Sequence, residues 1–142
     1  MKTLPLPALL AALLLLPGCG NTDENPAPDA SYTVRGEVLQ LPDGTPLREF
    51  MIYHEAIPDW VDGQGRVGME EMPMPFAVAD GVSLNDLQPG DKIEFTVDTF
   101  FAAENPPAAY HISQITKLPA DTELTFTKGP GSTTQPHHHH HH

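Results

Sequence analysis

The sequence predicts an all-β chain: one small five-stranded barrel of about 97 residues (32–128), preceded by an export leader and a flexible tether. Three observations predict it. Five short segments carry alternating or β-favouring apolar residues, and turn residues separate them. No stretch has the helical spacing of a long amphipathic helix, and nothing repeats internally. A single cysteine, Cys19, precludes an internal disulfide or a Cys-x-x-Cys pair, so an apolar core has to hold the domain.

The first strand is residues 32–40, where Tyr32, Val34 and Val38 alternate with polar residues. Pro42-Asp43-Gly44 is a turn. Residues 47–54 form the second strand and end on His54. Residues 55–68 contain Pro58, Gly63, Gly65 and Gly68 and read as a loop. Residues 72–79 are the third strand. Residues 82–87 read as a short helix capped by Ser83. Gln88-Pro89-Gly90-Asp91 is a turn before the fourth strand, 92–100, which sets Ile93, Phe95 and Val97 on one face. Glu104-Asn105-Pro106-Pro107 leads to the fifth strand, 108–118. Residues 122–127 read as a weak edge strand. Five strands with a helical turn between the third and fourth fit a closed OB-fold-like barrel, because closure removes exposed edges.

The ends of the chain point to export. Lys2 precedes an apolar run over 4–16, which is shorter than a membrane span of about 20 residues. It leads into Leu16-Pro17-Gly18-Cys19. Residues 1–18 thus resemble a bacterial lipoprotein signal peptide, which would leave Cys19 as a lipidated N-terminus. Residues 19–31 lack aromatic and β-branched apolar side chains apart from Thr22, and read as a tether. Residues 129–142 are a tail ending in six histidines, read as a purification tag. Seven Lys and Arg, one of them Lys2, face 19 Asp and Glu. That balance argues against nucleic acid, whose phosphates need clustered cations.

His54, Met69, Met72 and Met74 carry the chemistry. One imidazole and two or three thioethers suit Cu(I) or Ag(I) and not zinc, calcium or magnesium. A thioether also survives an oxidising compartment without forming a disulfide. Met72 and Met74, two apart in a strand, point to the same face. Pairing of the second and third strands would bring His54 to them, and Met69 lies where the chain enters the third strand. Pro73 and Pro75 place this segment at an edge or rim. Methionine is also a common core filler, so on the residues alone both readings stand. Glu55, Glu70 and Glu71 are hard donors and read as solvated docking charges. His111 reads as a solvated strand residue, and Asp121 and Glu123 carry no motif.

Tyr53-His54-Glu55-Ala56-Ile57-Pro58 and Met69-Glu70-Glu71-Met72-Pro73-Met74-Pro75-Phe76 resemble the paired motifs of the CusF family of periplasmic copper- and silver-binding proteins. Val34-Arg35-Gly36-Glu37-Val38 is similar to that family's first strand. The stretch from Leu84 to Phe95, through Pro89-Gly90-Asp91, is similar to its later one. The resemblance implies a five-stranded OB-type barrel with one Cu(I) or Ag(I) site, and ligand roles for His54, Met72 and Met74. It also implies that Met69 stands where some members carry a tryptophan over the metal, as a fourth ligand through its sulfur or a neighbouring cover. Residues 61–68 read as an insertion. Trp60, just before them, is either a cation–π lid over the site or packing on the barrel end.

The resulting expectation is a membrane-tethered protein of the periplasm or cell envelope, a monomer that buffers Cu(I) or Ag(I) or passes it to a copper-transfer partner. That partner would belong to an efflux system or to the assembly of a copper enzyme. No serine–histidine–acid pattern, phosphate loop or thiol pair suggests an enzyme. The competing expectation is a metal-free OB-fold interaction module of the envelope. Protonation of His54 is expected to weaken binding below about pH 6.5.

Overall fold

The structure, a computed structural model, describes residues 26–101 and 109–130, together with Lys2, Thr3, Pro5 and Gly18. Most of the leader, Cys19, the first part of the tether, the loop around Pro106 and the histidine run lie outside the described residues. The strands are β1 (Ala30–Gln40), β2 (Phe50–His54), β3 (Ile57–Val61), β4 (Val67–Met69), β5 (Met72–Val78), β6 (Lys92–Phe100) and β7 (Ala109–Lys117). β1, β2, β5, β7 and β6 close into a barrel in that order, so the expected five-stranded, OB-like barrel is present.

Alternation builds the core. Tyr32, Val34 and Val38 of β1 point inward, as do Ile93, Phe95 and Val97 of β6. Ile52 and Ile112 fill the middle, and Phe76 meets Phe95 edge to face at 5.2 Å. Burying each such side chain stabilises the fold by roughly 1.5–3 kcal/mol. An irregularity opposite Thr96 and Val97 lets Ile112 and Ile115, three apart in β7, sit opposite Val97 and Phe95.

Gly36 makes the closure possible. It lies opposite both Ile93 of β6 and His54 of β2. A Cβ there would stand 2.6 Å from an Ile52 methyl and 2.7 Å from the Tyr53 carbonyl oxygen. Both are closer than atoms can pack, so only glycine lets the end of β2 lie this near β1.

The structure corrects four expectations. Leu47 is fully exposed and residues 45–48 turn, so β2 starts at Phe50. Residues 82–87 form turns and no helix: Ser83 Oγ accepts from the Asn85 N–H at 3.3 Å, and the Leu87 N–H bonds the Leu84 carbonyl. Residues 55–68 are not a plain loop but contain a second, two-stranded sheet of β3 and β4. Asp62 closes its turn by accepting from the N–H groups of Gln64 and Arg66, with Gly65 at φ 78°. Residues 122–127 form no strand.

Gly36→Ala is therefore expected to lower stability by about 1–3 kcal/mol, the usual cost of overpacking. A urea midpoint unchanged from wild type would show that the crossing of β1 and β2 is looser than described.

Candidate metal centre

The β2–β5 ladder sets His54 opposite Met72, Ile52 opposite Met74 and Phe50 opposite Phe76. Residues directly opposite on antiparallel strands share a face, and here that face is the barrel interior. Exposure grades along it: Phe76 is buried, Met74 is half-buried against the core, and Met72 is 39% exposed at the rim. Pro73 and Pro75 have no N–H, so the ladder runs through residues 72, 74 and 76. The prolines face the other edge of β5, which β7 meets, among the described residues, at Ala77 and Val78. Tyr110 Oη donates to the Pro75 carbonyl there at 3.1 Å. Among the described residues no strand pairs with the first half of β5 on that side.

His54 has no solvent exposure. Its Nδ1 lies 2.7 Å from the Glu55 carbonyl oxygen, which can only accept, so Nδ1 carries the proton. Nε2 is buried with no hydrogen-bond partner among the described residues. Burial holds the pKa of the ring below its ordinary value against the opposing pull of the Glu55 carbonyl. The neutral ring thus keeps a lone pair on Nε2 with nothing to receive it, in a wall whose opposite strand carries thioethers. A bond to a backbone carbonyl is how a ligating histidine is commonly oriented.

Met69 ends β4 opposite Ile57, half-buried against the core and joined to Met72 by Glu70 and Glu71. Trp60 is buried, with its ring 4.9 Å from that of Tyr32 and edge-on to Tyr110 at 6.3 Å. It belongs to the aromatic packing of the core. Among the described residues no three His, Cys, Asp or Glu side chains come together as a metal site. His111 lies on β7 against Phe100 at 5.1 Å, opposite Asp98, and is half-buried. It is not a freely solvated residue.

Two of the three acidic residues expected in solvent are engaged. Glu55 pairs with Arg35 at 2.9 Å and accepts from the Thr125 N–H. Glu71 is 8% exposed. It accepts from Tyr53 Oη at 3.0 Å, from the N–H groups of Thr127, Lys128 and Gly129, and from the Thr127 hydroxyl. Only Glu70 is solvated, with Lys128 at 3.4 Å. Glu71 and Gly36 are the residues that sequence reasoning missed. A glycine at an inward position of β1 is a readable signal; a carboxylate bonded to distant backbone has none.

A family model described as copper binding periplasmic protein CusF matches residues 31–117. Neither the curated proteins nor the solved structures contain a match.

Burial pushes the Glu71 carboxyl up, but the bonds from Thr127, Gly129 and Tyr53 outweigh it and hold the pKa at about 2. A carboxylate with a depressed folded pKa stabilises above its unfolded value of 4.5 and loses that contribution as pH falls toward 2. Urea midpoints taken from pH 5 to about 2 should therefore fall more steeply in wild type than in Glu71→Gln. Parallel curves would show that Glu71 is not held as described.

Proposed function

This chain belongs to the CusF family of periplasmic copper-binding proteins, and on that footing we propose that it carries or buffers Cu(I) or Ag(I) through His54, Met72 and Met74. Met69 is the candidate third sulfur. The ion is cargo, and no substrate is transformed. The observation that supports this reading is the buried Nε2 of His54, which lacks a partner among the described residues, on a residue that lies across the ladder from Met72.

The donor set accounts for both uptake and release. Thioethers are neutral, so no sulfur proton has to leave. The imidazole is neutral and its tautomer is set by the Glu55 carbonyl. A low-coordinate site of this kind lets an incoming sulfur displace one ligand at a time. Met72, the exposed sulfur, is where such an exchange begins. Cys19, lipidated, would tether the domain to the membrane through residues 20–31, and the acidic surface would attract a basic partner that receives or supplies the metal. The protein acts as a monomer in this scheme.

Competition for Cu(I) against a colorimetric chelator tests the reading. Wild type should take one equivalent, and Met72→Leu/Met74→Leu and His54→Gln should each bind at least about tenfold more weakly, roughly 1.4 kcal/mol. If the variants compete as well as wild type, His54, Met72 and Met74 do not hold the ion; if none competes, the domain is the metal-free interaction module. The lowered pKa of His54 also moves the expected pH window. Affinity should stay flat above pH 6.5 and fall by about tenfold per unit only beneath the depressed pKa. A decline that starts above 6.5, or a slope that persists in His54→Gln, would exclude His54 as the titrating ligand.

A further inference from the structure

The segment after β7 lies beyond residue 117, where the family match ends, yet it returns to the metal end of the barrel. Lys92 Nζ donates to the Thr122 carbonyl at 2.5 Å. The Thr125 N–H bonds Glu55 Oε1 at 2.6 Å. Phe126 lies edge to face on Tyr53, ring centres 4.8 Å apart. The Thr127, Lys128 and Gly129 N–H groups converge on the Glu71 carboxylate, and Lys128 pairs with Glu70. Apart from Lys92, the residues gripped are 53, 55, 70 and 71, which flank His54 or lead into Met72. Tyr53 points to the outside of the barrel, opposite Pro73, and is nevertheless only 5% exposed because this segment covers it.

We propose that residues 122–129 are a strap that holds the end of β2 and the turn from Met69 to Met72 from outside, and so slows exit of the soft ion from the inner face. Glu71 and Phe126 are its positioning residues. They touch no ligand atom and act through the backbone on either side of His54 and Met72. The proposal rests on the metal reading above only for its second half. Rigidity of the turn stands on the strap's own contacts. Glu71 is suited to the role because its two oxygens are engaged by donors from both sides: Tyr53 from the barrel, and Thr127, Lys128 and Gly129 from the strap. Removing its charge weakens every one of these bonds together.

The test compares whole-chain Glu71→Gln and Phe126→Ala with wild type and with Val97→Ala, a core change on β6 far from the strap. Amide hydrogen exchange without metal should quicken about tenfold or more at Tyr53 to Glu55, Glu70 to Met72 and Met74 in the two strap variants, while Val97→Ala leaves those amides no faster than the rest of its barrel. Release of Ag(I) to a chelator should quicken by about tenfold in the strap variants, with one ion still bound per chain. Exchange and release both equal to wild type would overturn the proposal. So would equal quickening in Val97→Ala, which would mean that general stability is being read. Failure of wild type to bind Ag(I) would refute the metal reading alone, and the strap would then be judged by hydrogen exchange.

Discussion

A lone pair buried without a partner among the described residues is the constraint on which this structure turns. A polar atom left unsatisfied in a protein interior costs about 1–3 kcal/mol, and few folds keep one without a use for it. Here the cost falls on His54 Nε2. It is maintained by three features: the Glu55 carbonyl that accepts from Nδ1–H and so keeps the ring's one proton there, the apolar wall of Phe76 at 6.2 Å, and the glycine at 36 that lets β2 run so close to β1. Protonation would relieve the nitrogen, but burial opposes it. A soft cation relieves it without adding a proton, and the thioethers across the ladder suit that ion.

β5 divides its two faces with unusual economy. Even-numbered residues supply the ladder and the inner wall, grading from aromatic core to exposed sulfur. Odd-numbered prolines supply neither donors nor sulfur, and among the described residues no strand pairs with their margin. The same seven residues therefore continue the core at one end and open it at the other. The strap completes the arrangement from outside, where Tyr53 would otherwise be exposed.

The barrel was legible because its strands alternate. The sequence pattern marks β6 to the residue, and β1 and β7 to within one or two. Leu47 misled because an apolar residue in a turn looks like the start of a strand. The β3–β4 sheet was hidden because its buried residues, Ile57 and Trp60, are three apart and match neither a strand nor a full helical face. The turn at 82–87 buries only Leu87 fully, too little apolar surface to pack a helix. In sequence the strap reads as a weak edge strand, because its bonds go to side-chain carboxylates more than 50 residues away, which no local pattern records. At the candidate site, residue types and a spacing of two were enough to propose a soft donor set. The tautomer of His54, its orphaned nitrogen and the engaged state of Glu71 exist only once the chain has closed on itself.

The proline-bearing margin of β5, unpaired among the described residues, has a cost of its own. A row of free backbone groups beside exposed apolar side chains is a template on which another chain can grow a sheet, the usual first step to aggregation. Pro73 and Pro75 withhold the N–H groups that a foreign strand would need along that margin. The mouth can stay accessible to an ion and remain a poor nucleus for fibres, even where many copies crowd together.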